Sequence, residues 1–152
     1  LGTQFFGGMG ITTKSITTIE PLVSLRLSAL YNRATIKIKS IHIITTSGND
    51  KLQWQLLLNP SLTGASYSTA CTNTGAEIDT SASALTGGIC IHTGYVSIRE
   101  SKTFIQSIND LISNLPLVSN IVGTSDIITL AGASIGGGSS TLAAELEWVE
   151  IV

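Results

Sequence analysis

Charge is scarce in this 152-residue chain: Asp, Glu, Lys and Arg together make up 12% of it, about half the usual share of roughly 25% in soluble domains. Aromatic residues supply 5%, and there are three prolines, two cysteines and one methionine. Apolar runs stop after a few residues, as in Leu56-Leu57-Leu58. None approaches the ~20 residues that cross a bilayer, so no membrane partner is expected. The opening residues, Leu1-Gly2-Thr3-Gln4-Phe5-Phe6, have no basic segment followed by an apolar one and do not read as a signal peptide. They also lack an initiator Met, and with Gly7, Gly8 and Gly10 they read as the lead-in to the ordered part of something longer. A net charge of −2 and a pI near 5.6 argue against a nucleic-acid surface.

What the chain has instead is β-branched and hydroxyl-bearing side chains. Twenty Ile, six Val and nineteen Thr give 45 β-branched positions, and nineteen Ser bring the hydroxyl side chains to 38. β-Branched residues lose rotamer freedom against the preceding helical turn, so long helices are disfavoured. The same residues suit pleated, half-buried strands. With 43% hydrophobic residues and a mean hydropathy of +0.38, the chain is no candidate for disorder. Its length fits one domain with a self-sufficient core.

Strand patterns recur along the sequence. Pro21 to Leu27 alternates, with Val23, Leu25 and Leu27 on one face and Ser24 and Arg26 on the other. In 34–45, Ile36 and Ile38 share a face and so do Ile41 and Ile43, but the parity switches around Ser40, as an extra residue in a β-bulge would cause. Ser47-Gly48-Asn49-Asp50 reads as a turn. A strand from Lys51 to Leu58 carries Trp54 and ends at Asn59-Pro60. Residues 61–85 are polar and poorly periodic, with one short strand near Ala76–Asp79. Further strands are expected over 89–96, 102–108, 126–133 and 141–152, and Asn109 to Asn120 is the one helical candidate, limited by Pro116. Seven to nine short strands describe an all-β antiparallel β-sandwich, and the long 61–86 connection favours a jelly-roll-like crossing. The expected division is an N-terminal arm over 1–20 and a sandwich domain over 21–152.

Catalytic chemistry finds little support. No G-x-S-x-G elbow occurs. Glu77 and Asp79 fall on one strand face, but two carboxylates in that setting read as solvated surface. Gly136-Gly137-Gly138-Ser139-Ser140 lacks the lysine and the following helix of a phosphate loop. Cys71 and Cys90 read as free thiols packed as small hydrophobes, and no C-x-x-C is present. Cys90 and His92, two apart, would share a sheet face, yet no third ligand is placed beside them, so no metal or cofactor site is assigned.

Three stretches carry a likeness: Pro21 to Leu27 with Arg33-Ala34-Thr35-Ile36-Lys37-Ile38; Trp54-Gln55-Leu56-Leu57-Leu58-Asn59-Pro60-Ser61-Leu62-Thr63-Gly64-Ala65-Ser66; and Ala84-Leu85-Thr86-Gly87-Gly88-Ile89 with Gly94-Tyr95-Val96. Together with the closing Leu142-Ala143-Ala144-Glu145-Leu146-Glu147-Trp148-Val149-Glu150, the pattern resembles that of tailed-bacteriophage virion structural proteins. The resemblance implies a jelly-roll-like module on a capsid, head fibre, tail fibre or baseplate, and brings no catalytic residues with it.

The resulting expectation is a non-enzymatic virion protein, a capsid-decoration or fibre module that forms a homotrimer and contacts other virion proteins. A tip that binds host surface glycan is the alternative, and a wall-degrading hydrolase a more distant one. Phe5, Phe6, Met9, Ile11 and Ile16 in the arm need cover and are the expected assembly contacts. The expected core is Leu25, Ile36, Ile38, Trp54, Leu56, Ile89, Ile128, Leu146 and Trp148. Charge divides unevenly: residues 1–76 hold six basic and two acidic side chains, and residues 77–152 hold two basic and eight acidic. Pairing of an early strand with the last one, setting Lys37 and Lys39 against Glu145 and Glu147, would bring the two halves together.

Overall fold

A computed structural model of the chain describes residues 2–16, 18–31, 33–48, 51–96, 101–104, 117–120, 123–136 and 139–151, without the side chains of 11–15, 46–48 and 101–104. Among these residues the strands are β1 (Thr3–Ser15), β2 (Glu20–Leu27), β3 (Thr35–Gly48), β4 (Leu52–Leu58), β5 (Ser61–Thr63), β6 (Ser68–Thr69), β7 (Ala76–Asp79), β8 (Ala84–Thr86), β9 (Ile89–Val96), β10 (Ser101–Phe104), β11 (Ile127–Ser134) and β12 (Ser139–Ile151). A single 3-10 turn, Ala29–Tyr31, follows β2. The helical candidate over 109–120 lies mostly outside the described residues; within it, Leu117 bridges to Ile36.

Every ladder is antiparallel. One sheet has the order β1-β12-β3-β10, a second β6-β7-β2-β11-β4-β9, and β5 pairs with β8 in a small third sheet. Leaving aside β5 to β8, the chain crosses between the two large sheets at every step except from β4 to β9, which pair within the second, and the eight remaining strands order as 1-8-3-6 and 2-7-4-5. That connectivity is a jelly roll. Strand alternation places Leu22, Leu25, Leu27, Ile36, Ile38, Ile41, Ile43, Leu56, Leu130, Leu146 and both tryptophans in one core between the sheets. Fully burying each such side chain contributes about 1.5–3 kcal/mol.

Eight of the nine expected core residues are buried; Ile89 is 63% exposed. Ile89 opens β9, an edge strand among the described residues, and stands opposite Leu58, itself only partly buried, at the rim of the core. A register shift follows: Leu56 pairs with His92 and Leu57 with Cys90, leaving Ile91 as an extra residue. Parity along β9 changes there, so Gly94 and Val96 turn inward while Cys90 turns to solvent. Gly94 has a packing reason of its own, because a Cβ on it would stand 2.6–2.7 Å from the Trp54 indole. The parity switch near Ser40 is also present. Trp148 pairs with Ile38 and Glu147 with Ser40, so Lys39 is the bulged residue.

The largest correction concerns residues 1–20. The segment is not an arm outside the sandwich over 3–15, because β1 runs antiparallel to β12 from Thr3↔Glu150 to Ser15↔Ser139. It is the first strand of the jelly roll. Its glycines hid it: Gly7 faces inward, where a Cβ would crowd Ile78 and the Trp148 ring, and a Cβ on Gly8 would collide with the Ala144 carbonyl oxygen. These glycines permit close approach to β12, and by lacking side chains they erase the alternation that marks a strand.

Candidate assembly surface and polar sites

β1 lies at the edge of its sheet, and among the described residues its ladder partner is β12 alone. A long edge strand offers its outer row of backbone groups to a further strand. The five arm residues expected to meet a neighbour divide by strand face. Met9 and Ile16 are buried in the chain's own core, which corrects the expectation that they need a partner for cover. Phe5 is half-buried, its ring centroid 6.5 Å from that of Trp148. Phe6 points the other way and is 62% exposed. The Ile11 side chain lies outside the described residues.

The early and last strands pair as expected, but not with the expected charges. Lys37 stands opposite Val149, Glu147 opposite Ser40, and Glu145 opposite His42. Glu147 accepts a hydrogen bond from Ser40 Oγ at 2.6 Å, and His42 Nε2 lies 3.5 Å from its carboxylate. The Ser40 hydrogen bond, opposed by partial burial and aided by His42, holds the Glu147 carboxyl below its ordinary value. Charge reversal between Lys37 and Glu147 therefore has no direct contact to restore. A cross-strand pair of full charges that does join the two halves of the chain is Arg26–Glu77, which are ladder partners with Nε 2.8 Å from Oε2.

Arg26 also lies over the Tyr67 ring, 3.9 Å from its centroid. Burial pushes the Tyr67 hydroxyl up to about 12 against the lowering effect of Arg26. A cleft of about 500 Å³ opens beside this group, lined by Arg26, Glu77, Ser28, Thr124 and Ser125 among others.

Two carboxylates sit where sequence reasoning missed them. Asp79, read as solvated, is buried. It accepts hydrogen bonds from Ser66 N at 2.9 Å, Ser81 N at 3.0 Å, Ser81 Oγ at 2.6 Å and Ala82 N at 3.1 Å. Burial alone would raise its pKa, but these donors outweigh it and hold the carboxyl below its ordinary value. Glu150 is buried at the end of β12. Thr74 Oγ1 donates to it, as do Gly75 N at 2.9 Å and Trp148 Nε1 at 3.1 Å. The parity of β12 could have revealed Glu150, since it falls in phase with Leu146 and Trp148. Nothing local marks Asp79, whose donors come from the following loop and from Ser66.

Cys71 and Cys90 are free, but Cys90 is exposed rather than packed as a small hydrophobe. The bulge at Ile91 also separates it from His92, which packs edge-on against Trp54 at 5.2 Å between centroids. The expected shared face of Cys90 and His92 is thus absent.

Comparison with protein-family models finds no match, and neither curated proteins nor solved structures include a significant relative.

Proposed function

We propose that the chain is a non-enzymatic structural module of a phage virion, a capsid-decoration or fibre domain that assembles with copies of itself, as a homotrimer, against other virion proteins. The observation that carries the reading is the β1 edge. Thirteen residues of strand lie at a sheet margin, with Phe6 turned outward beside them. From Thr3 to Thr13 this edge carries neither charge nor proline, with Lys14 only near its end, and such an edge invites a second chain. The resemblance of residues 21–152 to virion proteins, and the low overall charge, agree with a protein whose work is stable contact. The glycan-binding alternative needs an open aromatic face. Tyr67, the one aromatic residue in the 61–86 loops, has Arg26 over its ring, which favours the structural reading.

Light scattering on the purified chain tests the assembly. A mass of three 15.9 kDa chains is expected, with Phe6→Glu shifting it toward monomer while the fold persists. A monomer at the highest soluble concentration overturns the proposal. Antibodies to the chain should label intact phage particles, and failure to label them refutes the virion placement.

A further inference from the structure

We propose that His42, Glu145 and Glu147 bind a divalent transition-metal ion of the zinc class on the outer face of the β12–β3 pair. One imidazole nitrogen and two carboxylate oxygens from these residues all lie within 4.8 Å of one another. The strand geometry explains the convergence. Glu145 and Glu147 are two apart on β12 and therefore share a face. His42 is the direct ladder partner of Glu145 on β3, and directly opposed side chains have Cβ atoms about 4.5–5.5 Å apart.

The dimensions fit a tetrahedral ion. Bonds of about 2.0–2.2 Å to nitrogen and oxygen place neighbouring donors roughly 3.3–3.6 Å apart. His42 Nε2 and Glu147 Oε2 are already 3.5 Å apart, and a Glu145 carboxylate oxygen lies within 4.8 Å of the other two donors. Ser40 supplies an orienting contact by donating to Glu147 Oε2 at 2.6 Å, the kind of outer hydrogen bond that fixes a ligating carboxylate. A donor set of imidazole and carboxylate without thiolate suits zinc and its first-row neighbours.

The surroundings leave a coordination position open. The residue beside Glu145 on β1 is Gly8, which has no side chain to cover it. A cavity of about 110 Å³ adjoins the cluster, lined by Met9, His42, Ile44, Ala143, Ala144 and Glu145. Water fits there, as does a side chain of another protein. Ser40 Oγ also lies 3.1 Å from His42 Nε2, so one hydroxyl contacts two of the three ligating side chains.

Equilibrium dialysis of the untagged chain against Zn²⁺, paired with visible spectroscopy of the Co²⁺ form, tests the site. One ion per chain is expected, with Co²⁺ absorption typical of a low-coordinate nitrogen–oxygen site. Glu145→Gln and Glu147→Gln each should lower affinity by about tenfold or more, and Ser40→Ala by about tenfold. Glu77→Gln, remote from the cluster, should bind as the unmodified chain does. Zn²⁺ should raise the thermal midpoint of the unmodified chain and leave that of His42→Ala unmoved. Should His42→Ala fail to fold, the half-buried, isosteric Glu145→Gln carries the test by itself. Absence of bound zinc, or zinc binding that all the site variants retain, overturns the proposal.

Discussion

Replacing Glu150 by alanine should be among the most damaging single changes in this fold. Its carboxylate is nearly excluded from solvent and accepts from Thr74 Oγ1, Gly75 N and Trp148 Nε1. Alanine removes the acceptor and leaves three donors facing a small void. An unsatisfied buried donor costs about 1–3 kcal/mol, and Trp148 is itself fully buried, so its indole N–H has no route to bulk water. Thr74 loses least, because its oxygen still accepts from Ala76 N at 3.0 Å and its hydroxyl can turn. Counting Gly75 and Trp148 in full and Thr74 as minor gives a loss of about 3–5 kcal/mol. That is a large part of the roughly 5–15 kcal/mol available to a domain of this size. Glu150→Gln keeps one carbonyl acceptor but turns an amide toward a donor, so about 1–2 kcal/mol is expected. Urea unfolding followed by tryptophan fluorescence measures both. A loss under about 0.5 kcal/mol for Glu150→Ala, the size of an ordinary surface change, would refute the view that this carboxylate pins the 74–76 segment to β12.

Two further outcomes follow from the packing. Asp79 is held below its ordinary value near 3.8 by its donors, so its contribution is complete above the unfolded pKa of about 3.9 and lost as pH falls through the lower folded value. Asp79→Asn should cost about 1–3 kcal/mol at neutral pH and flatten the acid limb of a stability–pH curve; an unchanged acid limb would count against it. Gly94→Ala should cost about 1–3 kcal/mol through overpacking against Trp54, visible as a lowered urea midpoint with altered tryptophan emission, and a neutral effect would mean the indole yields freely.

Local pattern made much of the fold legible. β12 alternates cleanly from Leu142 to Trp148 because it has a core face and a half-buried polar one; in β2 the alternation of Val23, Leu25 and Leu27 marks the strand, although Leu22 and Ser24 on the opposite parity are buried too. β1 was illegible for the opposite reason: at positions 7, 8 and 10 glycine stands where alternation would have to show, and steric closeness to β12 is invisible without the partner. Ile89 failed because its place at the start of an edge strand, opposite the partly buried Leu58, belongs to the sheet and not to one strand. Asp79 read as an ordinary surface carboxylate because its donors are backbone and hydroxyl groups of Ser66, Ser81 and Ala82, which carry no signature, whereas the phase of Glu150 with Leu146 and Trp148 is legible along β12. Alternation marked Glu145, Glu147 and His42 as outward-facing, but which of them stand opposite one another depends on register, which no single strand contains.

The bulge at Lys39 decides that register, and simple magnitudes show why it exists. Carrying the Trp148↔Ile38 pairing forward without an extra residue would set Lys39 against Glu147 and Ile41 against Glu145. Lysine and glutamate would then meet across the strands, a gain of about 0.2–1 kcal/mol at an exposed position. The cost would fall on Ile41 and Ile43, both fully buried, which would turn outward with the glutamates and lose about 1.5–3 kcal/mol each. Burial wins by several-fold. The extra residue keeps Ile36 and Ile38 inward on one side of it and Ile41 and Ile43 inward on the other, with Lys39 left to solvent. Ser40 and His42 thereby become the partners of Glu147 and Glu145. The hydrophobic core thus selects against an ion pair and, in doing so, assembles the imidazole–carboxylate cluster on the face behind it.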